Sequence, residues 1–157
     1  MVIMADQVSV LDVIDLKTVH THLQAANKEE ALQQMADALM SEGYLKDTQG
    51  YLKDVYIREA SGSTGIGGYI AIPHGKSNAV KKIGVAIATL DEEIEWETLD
   101  EHGVRVIVLF AVGADDEAAK DHLKLLSLFA RKLGNDTVVE GLLKADTAED
   151  VRDAFKN

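Results

Sequence analysis

The sequence contains no cysteine, so neither a disulfide framework nor a thiolate nucleophile or metal site is available. It has no apolar run near the ~18 residues of a membrane span, and its N-terminus lacks the basic-then-apolar pattern of a secretory signal. Basic residues are also few: 16 lysines and arginines stand against 27 aspartates and glutamates, for a net charge of −11. A nucleic-acid binder needs a basic surface to neutralise phosphates, so no nucleic-acid partner is expected. These absences favour a cytoplasmic protein.

Proline occurs only once, and it marks the most informative stretch of the chain. Four of the twelve glycines fall within positions 62–68, and the apolar run 69–72 that follows them is predicted to be a strand. Glycine is typical of backbone that takes unusual dihedral angles or approaches a ligand closely. Pro73 has no N–H for a β-ladder and should end the strand. The pattern therefore predicts a functional site with His74 presented at a strand end.

The remaining chain has the pattern of an α/β protein. At 157 residues and 46% hydrophobic, it is expected to form one domain over residues 1–157 with a sizeable core. Residues 83–90 and 104–112 are apolar runs of the kind that form buried strands in parallel sheets, and acidic residues 91–93 are expected to interrupt the first. We predict an α/β single-domain sandwich with a mixed, mostly parallel central sheet and helices on both faces.

Local signals place the other elements. A strand is predicted over 19–23, and helices are predicted between Asn27 and Gly43, over 48–60, from 115 to Gly134, over 137–143 and over 148–155. Asn27 with Glu30, and Thr147 with Asp150, have the spacing of helix N-caps. The long helix should bury a stripe that includes Leu123 and Phe129.

Two nucleotide-binding motifs and one hydrolase motif fail at the glycine-rich stretch. Residues 75–77 (G-K-S) match the end of a phosphate loop, but position 70 is Ile70 where that loop needs glycine. The glycines precede a strand and not a helix, which also excludes the dinucleotide fingerprint. A serine hydrolase using Ser61 or Ser63 lacks the G-x-S-x-G elbow, so this alternative is weak.

His74 itself is the better candidate for the reacting group. Imidazole with a pKa of ~6.5 is largely neutral near pH 7, and it forms covalent intermediates without a separate base. Phosphoryl transfer asks the protein mainly for positioning and for stabilisation of the anion. Loop N–H groups and the guanidinium of Arg58 can supply that stabilisation. His122, in the first half of the long predicted helix, is a second candidate, although a helix-surface position is equally compatible with the pattern.

The stretch R-E-x-x-x-x-T-G-I-G-x-x-I-A-I-P-H-G-K, from Arg58 to Lys76, resembles the signature of the fructose–mannitol family of enzyme IIA domains. These domains belong to the bacterial phosphoenolpyruvate-dependent sugar phosphotransferase system. The later segment D-H-L-K-L-L-S-L-F-A-R-K-L, residues 121–133, resembles the second histidine region of that family. The order of elements also agrees from about residue 8 to residue 155.

This resemblance implies that His74 accepts a phosphoryl group from the phosphocarrier HPr, or from a domain like it, and passes it to a cysteine of a cognate IIB domain. Arg58 would stabilise the phosphoryl group and His122 would hydrogen-bond at the active site. Thr64 and the glycines that follow it, Gly65 and Gly67, would shape the pocket. No metal and no other cofactor is implied. Association with the membrane would be indirect, through a IIB and IIC permease.

One departure and several alternatives remain. The family pattern usually reads G-I-G-N-G, but Gly68 and Tyr69 stand at the Asn-Gly positions, which predicts a changed loop conformation or partner surface. A nitrogen-regulatory IIA paralogue would also be phosphorylated on His74 but would act by binding regulatory partners. A non-catalytic binding module has no need of Arg58, His74 and His122 together. A metal site of His74 and His122 lacks a convincing third ligand.

Overall fold

A computed structural model describes residues 10–98 and 100–156. Along them run α1 Val10–Val13, β1 Ile14–His20, α2 Lys28–Ser41, α3 Thr48–Ser61, β2 Gly65–Gly67, β3 Ile70–Ala71, β4 His74–Ser77, β5 Gly84–Ile94, β6 Val104–Gly113, α4 Asp116–Leu133, α5 Asp136–Lys144 and α6 Ala148–Ala154. The single domain predicted over 1–157 includes residues 1–9, 99 and 157, which lie outside the described ranges, so its extent stays a prediction.

The strands form one mixed sheet in the order β1-β5-β6-β3-β2, and β4 also pairs with β6. The pairs β1–β5, β3–β6 and β4–β6 are parallel, while β2–β3 and β5–β6 are antiparallel. Of the pairings within the described residues, the majority are therefore parallel. The predicted mixed, mostly parallel sheet is confirmed.

Helices cover both faces of this sheet, as predicted. Alternate residues of β6 point to opposite faces, because side chains alternate along a strand. Val108 and Phe110 belong to a core shared with α4, α5 and α6, while Ile107 and Leu109 belong to a core shared with α2 and α3. The long strands β5 and β6 are buried on both sides, which explains their nearly continuous apolar sequence.

The helix ends follow the predicted local signals. Asn27 Oδ1 accepts a hydrogen bond from the Glu30 backbone N–H at 2.9 Å, and a full capping box joins Thr147 and Asp150 at the start of α6. Gly43 follows α2 with a φ of 85°, a conformation that glycine adopts at little cost. These caps depend only on residues close in sequence, which is why the pattern predicts them well.

Four local predictions are wrong. The first strand spans Ile14–His20 and not 19–23, and β5 continues through the acidic residues 91–93 to Ile94 with an irregularity in its pairing. The two long strands run antiparallel to each other, and no crossover helix lies between them in the described residues 95–98 and 100–103. Leu123 lies on the solvent side of α4 with 63% of its surface exposed.

Candidate active site

His74 is the first residue of β4 and pairs with Phe110 of the central strand β6. The Pro73 carbonyl accepts a hydrogen bond from the Phe110 N–H at 3.0 Å, so the backbone on both sides of the Pro73–His74 bond is held against β6. The buried Tyr51 hydroxyl of α3 donates to the Phe110 carbonyl and ties the helix to the same point. His74 thus follows the end of β3 at Ala71 and begins β4, on a part of the sheet that these hydrogen bonds hold.

One nitrogen of the His74 imidazole has a hydrogen-bond partner that sets the tautomer of the ring. Nδ1 lies 3.0 Å from the Ile72 carbonyl oxygen. A carbonyl can only accept, so this contact assigns the hydrogen to Nδ1 and leaves the lone pair on Nε2. Burial lowers the pKa of His74, as does the Arg58 charge, while the Ile72 hydrogen bond and Glu59 act in the opposite direction. The net lowering keeps the ring neutral and nucleophilic near pH 7.

His122 lies beside His74, with ring centroids 5.5 Å apart. It is only 5% exposed, and its ring meets Phe110 edge-on at 5.3 Å. Neither ring nitrogen has a hydrogen-bond partner among the described residues. Burial, and then the neighbouring His74, lower the pKa of His122 to about 4. The structure therefore brings the two candidate histidines together and holds His122 as a neutral ring.

Arg58 approaches the site from the last turn of α3. Its Nη1 donates to the Gly62 carbonyl at 2.8 Å, and its charge contributes to the lowered pKa of His74. One edge of the guanidinium thus holds the start of the glycine-rich loop while its positive charge acts on the imidazole. Such a group can stabilise an anion that arrives at Nε2.

The glycine-rich loop contains the three predicted pocket residues, Thr64, Gly65 and Gly67. Thr64 is buried and its hydroxyl donates to the Glu59 carboxylate. A Cβ at Gly65 would lie 2.4 Å from the Glu97 carbonyl oxygen, so no side chain fits there. Gly67 has a φ of 88°, which disfavours any other residue. Glycine is thus required at both positions by the loop itself.

Tyr69 adopts a left-handed backbone conformation with a φ of 69°, directly after Gly68 at 64°. Residues other than glycine, asparagine and aspartate seldom adopt it. The Tyr69 ring stacks on His102 with centroids 4.9 Å apart, and the Gly68 N–H donates to Asp100 at 2.9 Å. Tyr69 thus forms an aromatic pair with His102 at the surface beside the loop, and its effect on a partner surface stays a prediction.

Two charged residues next to the loop were not predicted from the sequence as part of the site. Glu59 and Lys28 form an ion pair of 2.9 Å with side chains only 6% and 14% exposed. Glu59 stands next to Arg58 in the R-E motif, and that adjacency was the one available signal for it. Lys28 is 31 residues away from Glu59 and carries no motif.

A neutral imidazole beside an arginine and a glycine-rich loop can take up and release a phosphoryl group. Among the described residues, no group of three or more acidic or histidine side chains is arranged to hold a metal ion. No helix within residues 10–98 and 100–156 is both long and apolar enough to span a bilayer. The class of protein defined by this sheet and this site is a histidine phosphotransferase.

Comparisons with known proteins bear directly on that class. The family described as "Phosphoenolpyruvate-dependent sugar phosphotransferase system, EIIA 2" matches residues 12–157. A fructose-specific EIIA component of Haloferax volcanii is 33% identical over 152 residues, which cover 92% of this chain and 97% of that protein. A 2-O-alpha-mannosyl-D-glycerate-specific EIIABC component of Escherichia coli is 34% identical over 130 residues. Those residues cover 82% of this chain, which spans only 20% of that longer relative.

Solved structures agree with the sequence comparisons. The nitrogen regulatory protein IIA-Ntr of Neisseria meningitidis superposes with a TM-score of 0.84 at 25% identity, covering 93% of this chain and 98% of that one. The mannitol IIA of Escherichia coli, at 24% identity, shares the fold with a TM-score of 0.73 and coverages of 88% and 96%. The chain belongs to the EIIA 2 family of the phosphoenolpyruvate-dependent sugar phosphotransferase system. It is therefore a phosphocarrier that works through phosphohistidine, and the resemblance noted in its sequence is confirmed.

Proposed function

We propose that this protein accepts a phosphoryl group from phosphorylated HPr on His74 and passes it to a cysteine of a cognate IIB domain. The transfer serves uptake of a fructose-type sugar, in the cytoplasm, with indirect membrane association through the IIB and IIC permease. The observation that carries the proposal is the hydrogen bond from His74 Nδ1 to the Ile72 carbonyl, which leaves Nε2 as the nucleophile. The similarity to the fructose-specific component of Haloferax volcanii supports the sugar class.

The proposed transfer needs no proton to move. The lone pair of His74 Nε2 attacks phosphorus, the P–N bond to the donor histidine breaks, and its electron pair returns to the donor nitrogen. The His74 ring then carries phosphorus on Nε2 and hydrogen on Nδ1, and the Ile72 carbonyl stabilises its positive charge. In the second step a IIB thiolate attacks phosphorus and the electron pair of the P–N bond returns to Nε2.

Three groups around Nε2 have proposed roles in holding the phosphoryl oxygens. Arg58 supplies positive charge, and the N–H groups of the loop that contains Thr64, Gly65 and Gly67 supply donors. Neither ring nitrogen of His122 has a partner within the described part of the chain, and the ring lies close to His74, so its N–H can donate to a phosphoryl oxygen. Such a donation would break no hydrogen bond seen among the described residues.

Exposed apolar side chains adjacent in sequence to these groups support a protein partner. Ile57 precedes Arg58, Ile66 lies between the two loop glycines and Leu123 follows His122, and all three are exposed. Exposed large apolar groups of this kind are typical of protein-binding surfaces. A phosphodonor or acceptor protein that covers them would also exclude water from Nε2.

Incubation with phosphoenolpyruvate, enzyme I and HPr tests the first step. We expect one acid-labile, base-stable phosphohistidine in the wild type, none in His74→Ala, and full labelling in His22→Gln, which changes an exposed histidine outside the site. Full labelling of His74→Ala would overturn the proposal. Mixing the labelled protein with a fructose-type IIB should move the label to the IIB cysteine.

A nitrogen-regulatory role is the second candidate, because the IIA-Ntr structure superposes over 93% of this chain. Such a protein would be labelled on His74 in the same way but would act by binding regulatory partners. Retention of the label with every fructose- and mannitol-type IIB tested would favour this role. Neighbouring IIB and IIC genes would favour transport, and a neighbouring alternative-sigma-factor gene would favour regulation.

A further inference from the structure

The buried ion pair of Lys28 and Glu59 has no part in the steps described above, yet it lies directly beneath the loop. Lys28 is the first residue of α2 and Glu59 lies in the last turn of α3, so the pair joins two helices. Burial disfavours the charge on Lys28, but hydrogen bonds and charges of Glu59 and Glu97 outweigh burial and raise the pKa of Lys28. The Lys28 ammonium also lies 4.6 Å from the centre of the Trp96 ring. The lysine is thus held as a cation at this point.

A continuous series of hydrogen bonds connects this pair to the reacting imidazole. Lys28 Nζ donates to Glu59 Oε2 at 2.9 Å, and Glu59 Oε1 accepts from the Thr64 hydroxyl. The Thr64 carbonyl accepts from the Ile72 N–H at 3.0 Å. The Ile72 carbonyl accepts from His74 Nδ1, also at 3.0 Å. We call these five residues the Lys28–His74 chain.

Each link of the chain has a defined direction. The ammonium can only donate and the carboxylate can only accept, so the Thr64 hydroxyl must point its hydrogen at Glu59. Thr64 is then fixed at the start of the loop, and its carbonyl accepts from the Ile72 N–H in the peptide unit that joins Ala71 to Ile72. The Ile72 carbonyl belongs to the next peptide unit, which joins Ile72 to Pro73, and this oxygen accepts from His74 Nδ1. The buried ion pair is in this way connected, through Thr64 and the backbone of Ile72, to the carbonyl that sets the tautomer of His74.

The negative charge of Glu59 near His74 gives Lys28 a second role, which is to neutralise that charge. The Glu59 charge acts to raise the pKa of His74, more weakly than the Arg58 charge acts to lower it. An uncompensated carboxylate in a buried position would repel a phosphoryl dianion at Nε2, and removal of one partner of a buried pair leaves such a charge. Lys28 neutralises it, so that Arg58 remains the dominant charge felt by the phosphoryl group.

We propose that Lys28 and Glu59 are positioning residues: as a neutral buried pair they fix the Nδ1–H tautomer of His74 through Thr64 and Ile72, and they keep Glu59 from repelling the phosphoryl group. The role in transfer rests on the proposed function of His74, whereas the tautomer can be measured without any phosphodonor.

The tautomer test uses nitrogen-15 NMR of the unphosphorylated protein. Wild type should show a single Nδ1–H tautomer of His74, while Thr64→Val and Lys28→Met should show a mixture of both tautomers. Glu59→Gln should lower the pKa of His74 relative to wild type, because it removes the negative charge. Lys17→Met, which changes an exposed lysine, is the matched control and should leave both readouts unchanged. A single Nδ1–H tautomer in both Thr64→Val and Lys28→Met would overturn the inference.

The transfer test is a rescue experiment. Lys28→Met should slow phosphoryl uptake from HPr about 10-fold, within the range of coupling measured for contacting charged pairs. The double variant Lys28→Met, Glu59→Gln retains an acceptor for Thr64 without the buried charge, and it should recover most of the rate. A double variant slower than Lys28→Met would refute the charge argument. If wild type itself takes no phosphate, the proposed function fails, and the tautomer measurement still decides the present inference.

Discussion

The residues near His74 come from two sides of the sheet, and the two sets differ in polarity and in hydrogen bonding. On one side lie His122 and Phe110, with a series of edge-to-face rings that continues to Phe129, 5.0 Å from Phe110. On the other side lie Arg58 and the buried pair of Glu59 with Lys28. The apolar side leaves its one polar ring without a partner among the described residues, whereas the charged side pairs its groups with one another.

This difference shows how a site can keep its arginine available for an anion although a carboxylate lies nearby. A carboxylate near His74 would compete for Arg58 and for the histidine, but Glu59 is already held by Lys28 and Thr64. His122 is neutral and has no hydrogen-bond partner among the residues that the structure describes, so donation to a phosphoryl group would break no bond seen there.

The largest effect is expected on the charged side, at Arg58. Arg58→Ala should slow phosphoryl transfer about 100- to 1000-fold, by analogy with the loss of one donor to a developing anion. Arg58→Lys keeps the charge but loses the bidentate fork, so its rate should be intermediate. Rapid-quench measurement of uptake from HPr checks both, with Arg131→Ala, an exposed arginine of α4, as control. Equal rates for Arg58→Lys and wild type would contradict the fork argument.

On the apolar side we expect an effect of comparable free energy, but on the stability of the fold and not on the transfer rate. The pKa of His122 is about 4 in the folded protein and ~6.5 when unfolded, so between these values only the unfolded chain binds the proton. Stability should therefore fall as pH drops from 6.5 to 4, by at most about 3 kcal/mol from this residue. Urea unfolding across this range should show a shallower loss in His122→Gln. Parallel curves for the two proteins would refute the buried neutral ring.

Phosphorylation of His74 should raise the pKa of His122, so that the ring on the apolar side becomes easier to protonate. A phosphoryl dianion on Nε2 would lie close to His122, and a negative charge within a few ångströms raises a histidine pKa by about one to three units. NMR titration of His122 in the phosphorylated protein, compared with the free protein, measures this change. An unchanged pKa would show that His122 does not face the phosphoryl group.

The smallest effect is expected at an exposed histidine, which sharpens the comparison with His122. His22 Nδ1 and Nε2 contact Asp91 and Asp146, and the hydrogen bond to Asp91, then that to Asp146, raise the pKa of His22. Its contribution to stability should be complete below pH 6.5 and should disappear as pH rises through the higher folded value, opposite in sign to His122. His22→Gln should thus be slightly less stable than wild type at pH 6, with the difference disappearing at pH 8. A constant difference would contradict this assignment.

Sequence reasoning predicted the features that depend on neighbouring residues or on a long motif. The cap at Asn27, the capping box at Thr147 and the apolar strands β5 and β6 all follow from patterns a few residues long. The direction of β5 relative to β6 did not follow, because an apolar strand has the same composition in either orientation. The burial of Leu123 was predicted wrongly for a similar reason, because helical spacing alone does not show where the buried stripe of α4 ends.

The residues from Arg58 to His74 by themselves determined the kind of chemistry, because a glycine-rich turn, one proline and a histidine leave few other uses for such a segment. Only the tertiary structure decided which nitrogen of His74 carries the lone pair, how near His122 lies to His74 and that Lys28 forms an ion pair with Glu59. Those features join residues distant in the chain, and their distances arise when the helices pack on the sheet. No local pattern could specify them.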